Sequence, residues 1–169
     1  YYATSKYLRS QPYWYVYNSY MRNNNWQYLK YSNARETREG LFVSNEIVDF
    51  ARIASAYNEL GDTNTAGLAT WFIQNRLTGV NPYPWDRWDY IIGLDKTISA
   101  KPPSGLTMPL TRYFDGYGLV SMRTGFENMN DTFISFICRP YVHEGHDDYD
   151  ANSFTIDKKG HLAIDSAGY

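Results

Sequence analysis

The sequence predicts an α+β chain in which helices come first and antiparallel strands follow, and three observations support that order. Between residues 44 and 79, apolar side chains recur at steps of three and four residues, the period of an amphipathic helix. The stretch Lys101-Pro102-Pro103-Ser104-Gly105 is typical of a linker. Beyond it the apolar period becomes two, as in strands. We therefore expect a helical part over residues 1–100, a linker over 101–112 and an antiparallel β part over 113–169.

Composition argues against two classes of partner. The net charge is −2, whereas a nucleic-acid-binding chain presents a basic face. The sequence contains no apolar run close to the roughly 18 to 20 residues of a membrane-spanning helix, so we expect neither nucleic acid nor membrane as a partner. Aromatic residues make up 18% of the chain, with 17 Tyr and 5 Trp, and they suit either packing in a helical scaffold or stacking against sugar rings.

The first 40 residues give mixed signals. Pro12-Tyr13-Trp14-Tyr15-Val16-Tyr17 fits either the start of a helix or an extended run, and Asn23-Asn24-Asn25 predicts a turn. Two Arg and two Glu within residues 35–39 are spaced for ion pairs on a solvated helix face. Because the chain opens on two tyrosines and ends at a predicted strand, we interpret it as a segment of a longer polypeptide.

Two amphipathic helices joined by a very short connection are predicted from residue 44. Ser44 can cap the first helix, and Gly61 fits its left-handed stop. Asp62 can cap the second helix, which ends before Gly79. Such a tight pair packs antiparallel and needs a partner layer. The apolar faces comprise Ile47, Phe50, Ala51, Ala54 and Tyr57 in the first helix, and Ala66, Ala69, Thr70, Ile73 and Leu77 in the second.

Alternating side chains predict strands at residues 118–123, 131–138, 152–157 and 161–165, with a hairpin turn at Lys158-Lys159-Gly160. In the second strand Phe133, Ser135 and Ile137 share one face. Cys138 is the single cysteine, which excludes an internal disulfide. Because it lies in an apolar strand pattern, we expect a buried structural thiol rather than a nucleophile.

A polar cluster follows the second predicted strand. Residues 143–150, His-Glu-Gly-His-Asp-Asp-Tyr-Asp, contain two of the three histidines of the chain and four acids. These residue types suit a metal site or acid–base chemistry, and they also suit a solvated loop. The third histidine, His161, follows the hairpin turn and is expected to be an exposed strand residue.

Several motifs, taken in order, resemble one protein family. They are Leu110-Thr111-Arg112-Tyr113-Phe114, Gly118-Leu119-Val120-Ser121-Met122-Arg123-Thr124-Gly125, His146-x-x-x-Asp150-x-Asn152-Ser153-Phe154 and Asp165-Ser166-Ala167-Gly168. Together with the Lys101-Pro102-Pro103-Ser104 linker, they resemble the heparinase II/III-like polysaccharide lyases, and within these the alginate-lyase-like members. The resemblance runs from about Trp71 to Tyr169, whereas residues 1–70 agree only in being helical.

The resemblance implies a fold, a substrate and a location. Residues 1–100 would form the C-terminal part of an incomplete α/α toroid, and residues 113–169 the N-terminal part of an antiparallel β-sandwich. The four predicted strands are too few to close that sandwich. An acidic polysaccharide would lie between toroid and sandwich, and the partners would be this polymer and the remainder of the same polypeptide. Family members remove the C5 proton of a uronate and eliminate the 4-linked sugar, which implies a secreted or periplasmic bacterial enzyme.

The resemblance also assigns roles to residues near the end of the chain. Counting back from Asn152-Ser153-Phe154, the catalytic histidine of the sandwich falls on His146. His143 is the competitor for that place and otherwise contacts substrate, as does Tyr169. The catalytic tyrosine of the toroid would precede residue 1, so we expect this segment to be inactive by itself.

A divalent metal ion is the cofactor that the resemblance implies. The family pattern puts a histidine two residues after the catalytic one, but this chain has Asp148 there, while Asp165 keeps the second ligand position. Replacing an imidazole by a carboxylate shifts the preference from zinc towards calcium or manganese. The alternative is that Asp148 and Asp150 lie on a solvated loop without metal.

Two other functions fit the same residues. A uronyl C5-epimerase removes the same proton and returns it on the opposite face. A non-catalytic domain that binds acidic glycans would use the aromatic residues as its platform.

Overall fold

The computed structural model describes residues 3–22, 25–28, 44–128, 130–138 and 152–163. Within these ranges the chain is mixed helix and sheet, with four α-helices and two antiparallel sheets, as the α+β prediction requires. The elements in order are α1 Lys6–Asn18, β1 Ser19–Arg22, β2 Asn25–Tyr28, α2 Ser44–Glu59, α3 Thr63–Arg76, α4 Arg87–Gly93, a 3-10 turn Ser104–Leu106, β3 Thr111–Phe114, β4 Leu119–Arg123, β5 Phe133–Ile137, β6 Phe154–Asp157 and β7 His161–Ala163.

The described residues belong to two compact units. The helical unit draws on Tyr1–Val16 and Phe42–Met108, and the sheet unit on Tyr17–Leu41 and Pro109–Tyr169. Of the predicted linker, Lys101 hydrogen-bonds back to α3, while Thr111 and Arg112 begin strand β3.

The α2–α3 hairpin of the helical unit confirms the predicted helix pair. All five apolar positions predicted for α2 are buried. Gly61 has φ 79°, the left-handed conformation that ends a helix without strain. Asp62 caps α3, because its side chain accepts a hydrogen bond from the Thr65 amide. The predicted solvated face at residues 35–39 lies outside the described residues.

Helix α3 differs from the amphipathic helix that the sequence predicts. Every residue from position 65 to 72 is buried, so this part of the helix has no solvated face. One side packs against α2, where Phe72 stacks on Phe50 with ring centroids 4.5 Å apart. Another side is covered by the Lys101 segment, whose amide donates to the Gly67 carbonyl at 2.9 Å.

Of the two structures that the sequence allows around Pro12, a helix or an extended run, the chain adopts the helix. Pro12 lies inside α1, which ends at Asn18. Strands β1 and β2 then form an antiparallel hairpin in which Arg22 pairs with Asn25. These strands lie within residues 1–100, the stretch that the sequence predicts to be helical.

The sheet unit contains a five-stranded antiparallel meander in the order β3-β4-β5-β6-β7. Strands β4 to β7 confirm the four strand predictions, and β3 was not among them. Burial alternates along β5 as predicted, with Phe133, Ser135 and Ile137 buried. The predicted β6–β7 turn is present, with Lys159 at φ 60° and Gly160 at φ 141°.

The prediction that Cys138 is buried is wrong, since the residue is exposed. The alternation of β5 continues one residue past its end, so Cys138 follows the buried Ile137 and belongs with the exposed Phe136. An apolar run predicts a strand, but strand pairing determines which of its two alternating sets of side chains faces the core.

Candidate functional site

One face of the meander is buried and carries an unusual share of polar residues. Strand pairing arranges this face in three rows that cross the strands. The rows comprise Leu119 with Ile137, then Ser121, Ser135 and Thr155, and finally Arg123, Phe133 and Asp157, all of them buried. The middle row holds only hydroxyl side chains, and Ser121 is hydrogen-bonded to the Asn18 amide oxygen. Buried polar side chains need hydrogen-bond partners, so the residues that pack on this face must supply matching donors and acceptors.

Arg123 supplies a positive charge in the last row of the buried face. Its Nη1 donates to the carbonyls of Tyr17 and Ser19, each at 2.7 Å, and its Nε donates to the Gly125 carbonyl at 3.0 Å. Burial lowers the pKa of Arg123 to about 10, although the nearby Asp131 and Asp157 oppose that shift. The guanidinium therefore stays charged at neutral pH, and its hydrogen bonds tie the end of α1 to β4.

The residues predicted to carry chemistry lie outside the described residues. These are His143, His146, Asp148, Asp165 and Tyr169. His161 opens β7, as predicted, and pairs in register with Asp157. The predicted exposure of its side chain is not among the described features.

The described residues on either side of 139–151 lie at one end of the sheet. Cys138 follows β5 and Ser153 precedes β6, and the Ile137 amide donates to the Ser153 carbonyl at 3.0 Å. Ala163 ends β7 opposite Ile156, so it lies nearer the β6–β7 turn, although β7 runs towards the end that holds Cys138 and Ser153. Residues 139–151, which contain His143 and His146, are therefore attached at this end, whereas 164–169, which contain Asp165, follow Ala163 within the sheet.

Two features at this end concern the predicted motif Asn152-Ser153-Phe154. Asn152 has φ 66°, a left-handed conformation that asparagine tolerates better than most residues. The Ser153 hydroxyl is buried and has no hydrogen-bond partner among the described residues. A buried hydroxyl without a partner costs about 1–3 kcal/mol, so a polar group is expected to meet it.

The helical unit contains a separate cleft, of about 360 Å³, that sequence reasoning did not find. Its floor is buried and mostly apolar, and its rim is polar. The floor comprises Ala51 and Ala54 of α2, Thr70 of α3 and Ile98, whereas Gln74, Tyr90, Asp95 and Lys96 supply polar groups around it. These residues are scattered between positions 51 and 98, so no local motif marks them.

Residues 89–101 are held against α2 and α3, which shapes the cleft. The Ser55 hydroxyl donates to the Gly93 carbonyl at 2.7 Å, and Arg52 pairs with Asp89 at 2.9 Å. At the other end of the segment, the Lys101 ammonium donates to Thr63 and Asn64 of α3, both at 2.9 Å. Four side chains of two helices therefore hold one connecting segment.

The two charged residues that line the cleft, Asp95 and Lys96, differ in their polar contacts. The Asp95 carboxylate accepts hydrogen bonds from the Thr97 hydroxyl and the Thr97 amide, which hold the pKa of Asp95 below its ordinary value. Lys96 makes no ion pair with any described residue. Lys96 is thus the cation that a ligand of this cleft would meet.

The described ranges contain no group of three or more His, Cys, Asp or Glu side chains that could hold a metal ion. None of the helices within them is long and apolar enough to cross a membrane. No protein-family model matches this chain, and no curated protein matches it either.

Proposed function

We propose that this chain is part of a polysaccharide lyase that cleaves a uronate polymer, with alginate favoured over glycosaminoglycans. The observation that carries the proposal is the attachment of the stretch with His146 to one end of the meander, at Cys138 after β5 and at Ser153 before β6. The stretch with Asp165 follows Ala163, which lies opposite Ile156 on a strand that runs towards the same end. The motifs that resemble the lyases therefore include stretches anchored on the same sheet although they are distant in sequence.

The reaction removes the C5 proton of a uronate and then expels the oxygen at C4. The C5–H electrons form the C4–C5 double bond, the C4–O bond breaks, and the leaving oxygen takes up a proton. His146 suits proton transfer because the pKa of an unperturbed imidazole, about 6.5, lies near neutrality. His143 and Tyr169 would contact the sugar. The remaining tasks are assigned to a tyrosine and an asparagine or histidine from elsewhere in the same polypeptide.

A metal ion would be held by Asp148 and Asp165, whose carboxylates suit calcium or manganese better than zinc. When bound, such an ion would neutralise negative charge beside the substrate. The proton transfer assigned to His146 does not depend on it.

The fold that we propose is an incomplete α/α toroid followed by an antiparallel β-sandwich. The sandwich is supported by the second face of the meander, which is apolar although part of it is exposed. Strand pairing aligns two rows on this face, comprising Tyr113, Val120, Phe136 and Phe154, and then Met122, Ile134, Ile156 and Ala163. Tyr113 is 61% exposed and Phe154 50% exposed. Apolar rows of this extent are typical of a face that packs on a second sheet. We also propose a secreted or periplasmic location, where polymeric substrates are met.

The test uses the complete polypeptide and the variant His146→Ala, with His161→Ala as the matched control. Turnover is followed by the ultraviolet absorbance of the unsaturated uronate product. We expect His146→Ala to lower kcat by at least about 100-fold, the usual contribution of one proton-transfer group, and His161→Ala to leave it unchanged. Equal rates for both variants would remove His146 from the site. C5 inversion without new absorbance would instead identify a uronyl C5-epimerase, and glycan binding without either product a non-catalytic domain.

A further inference from the structure

We infer that the cleft between α2, α3 and residues 90–98 binds an acidic monosaccharide. Its volume of about 360 Å³ falls within the range of small-molecule sites, roughly 300–1,000 Å³. The cleft lies entirely in the helical unit, and the inference does not depend on the proposed lyase activity.

The floor of the cleft suits the C–H face of a sugar ring. Ala51 and Ala54 present small, buried methyl groups from neighbouring turns of α2, and Ile98 closes the floor from the connecting segment. The small alanine side chains leave room for a flat, weakly apolar ring.

The rim supplies the polar contacts that a sugar acid needs. Gln74 and Lys96 are exposed, and neither has a hydrogen bond to a described residue. Tyr90 is half-buried beside them and adds a hydroxyl group. An amide and a phenol can bind sugar hydroxyls as donor or acceptor, whereas the ammonium is a donor only and selects a carboxylate.

The neighbouring carboxylate does not remove this selectivity. Asp95 also lines the cleft, but its oxygen Oδ1 accepts from the Thr97 amide at 2.8 Å and the Thr97 hydroxyl at 2.6 Å. These bonds hold one oxygen of Asp95 in the turn of its own segment, and Lys96, which makes no ion pair with a described residue, keeps its ammonium for a bound anion.

The cleft is also pre-organised, which lowers the entropic cost of binding. A β-carbon on Gly93 would lie only 3.1 Å from the Arg52 amide nitrogen, so glycine lets the segment approach α2 closely. The Ser55–Gly93 and Lys101–Thr63 hydrogen bonds then hold the segment to α2 and α3. The floor and rim therefore keep their spacing without a ligand.

The experiment is calorimetric titration of the protein with D-glucuronate, with D-glucose as the neutral analogue and hexanoate as the apolar carboxylate. We expect glucuronate to bind more tightly than either. The variant Lys96→Met should weaken glucuronate binding at least about tenfold, since it removes the charge but keeps the length of the side chain. The matched control is Lys158→Met, a lysine in the β6–β7 turn, which should bind like the unmodified protein.

Three results would overturn the inference. They are the absence of glucuronate binding, equal affinity of Lys96→Met and Lys158→Met for glucuronate, and tighter binding of hexanoate or glucose. A second variant, Gln74→Leu, should weaken glucuronate and glucose by similar factors because it removes hydroxyl contacts rather than charge. Lyase turnover of the complete polypeptide reports on the proposed function independently, so the two can fail separately.

Discussion

The side chain of Lys101 occupies the space that a β-carbon on Gly67 would need. A β-carbon built there would lie 2.5 Å from Lys101 Cγ and 2.9 Å from its Cβ, both far inside contact distance. The Lys101 amide donates to the Gly67 carbonyl, so the two backbones are joined at the same point. This pair closes the segment that bounds the cleft against α3.

Gly67→Ala should therefore destabilise the protein although alanine favours a helix. The intrinsic helix preference gains about 1 kcal/mol, whereas forcing a methyl group into a packed contact costs about 1–3 kcal/mol. We expect a net decrease in the free energy of unfolding of up to about 2 kcal/mol in urea titrations.

The control for this prediction is a double-mutant cycle with Lys101→Ala. That variant removes Cγ and Cδ, two of the three closest atoms, so Gly67→Ala should cost less in its background. Strictly additive effects would show that the two residues do not compete for space.

Asp62→Ala should lower stability by about 1 kcal/mol because it removes the cap of α3. Asp62 accepts from the Thr65 amide at 3.2 Å and the Thr65 hydroxyl at 2.9 Å. The matched control is Asp86→Ala, since Asp86 stands at the same position of α4 but makes no capping bond from its side chain. An equal loss of stability in both variants would contradict the capping role.

The cap should also make stability depend on pH. Burial raises the pKa of Asp62, but hydrogen bonds from Thr65 and the nearby Arg9 outweigh that effect, and the pKa is lowered overall. The stabilisation is thus fully present above the unfolded pKa of about 3.9 and is lost as the pH falls through the folded value. Denaturation curves of the unmodified protein and Asp62→Ala should converge in that acid range, and a constant difference down to pH 2 would contradict this account.

Arg123→Lys should be destabilising, by about 1–3 kcal/mol for each buried carbonyl that loses its donor. The lysine keeps the charge but lacks the guanidinium geometry that reaches the carbonyls of Tyr17, Ser19 and Gly125 together. Thermal unfolding would measure the loss, with Arg87→Lys on the exposed start of α4 as control. A melting temperature equal to that of the control would show that charge alone is sufficient at position 123.

Cys138 should react with a thiol reagent in the native state. The thiol is exposed and is the single cysteine of the sequence, so one equivalent is expected to react. The rate in buffer should lie within about tenfold of the rate in denaturant, because native reactivity follows access to the thiolate. A much larger ratio would mean that the thiol is protected in solution, and Cys138→Ser supplies the blank.

The local pattern predicted most secondary structure correctly, for a physical reason. Helix α2, the cap at Asp62 and the β6–β7 turn depend on residues within a few positions of one another. Side-chain periodicity and cap chemistry act over that distance, so the sequence displays them directly. The candidate catalytic and metal residues rest on the family resemblance, and the described residues contribute only their attachment points.

The sequence by itself determined that the chain combines helices with antiparallel strands, where the α2–α3 hairpin turns, and which residues alternate along β5. Only the tertiary structure decided that residues 65–72 of α3 are buried on all sides, that Cys138 faces outward, and that Gln74, Tyr90 and Lys96 border one cleft. These outcomes depend on partners distant in the chain, such as Lys101 on Gly67 and Gly93 on Ser55. Periodicity shows which residues of an element share a face, whereas tertiary packing determines which residues or solvent that face contacts.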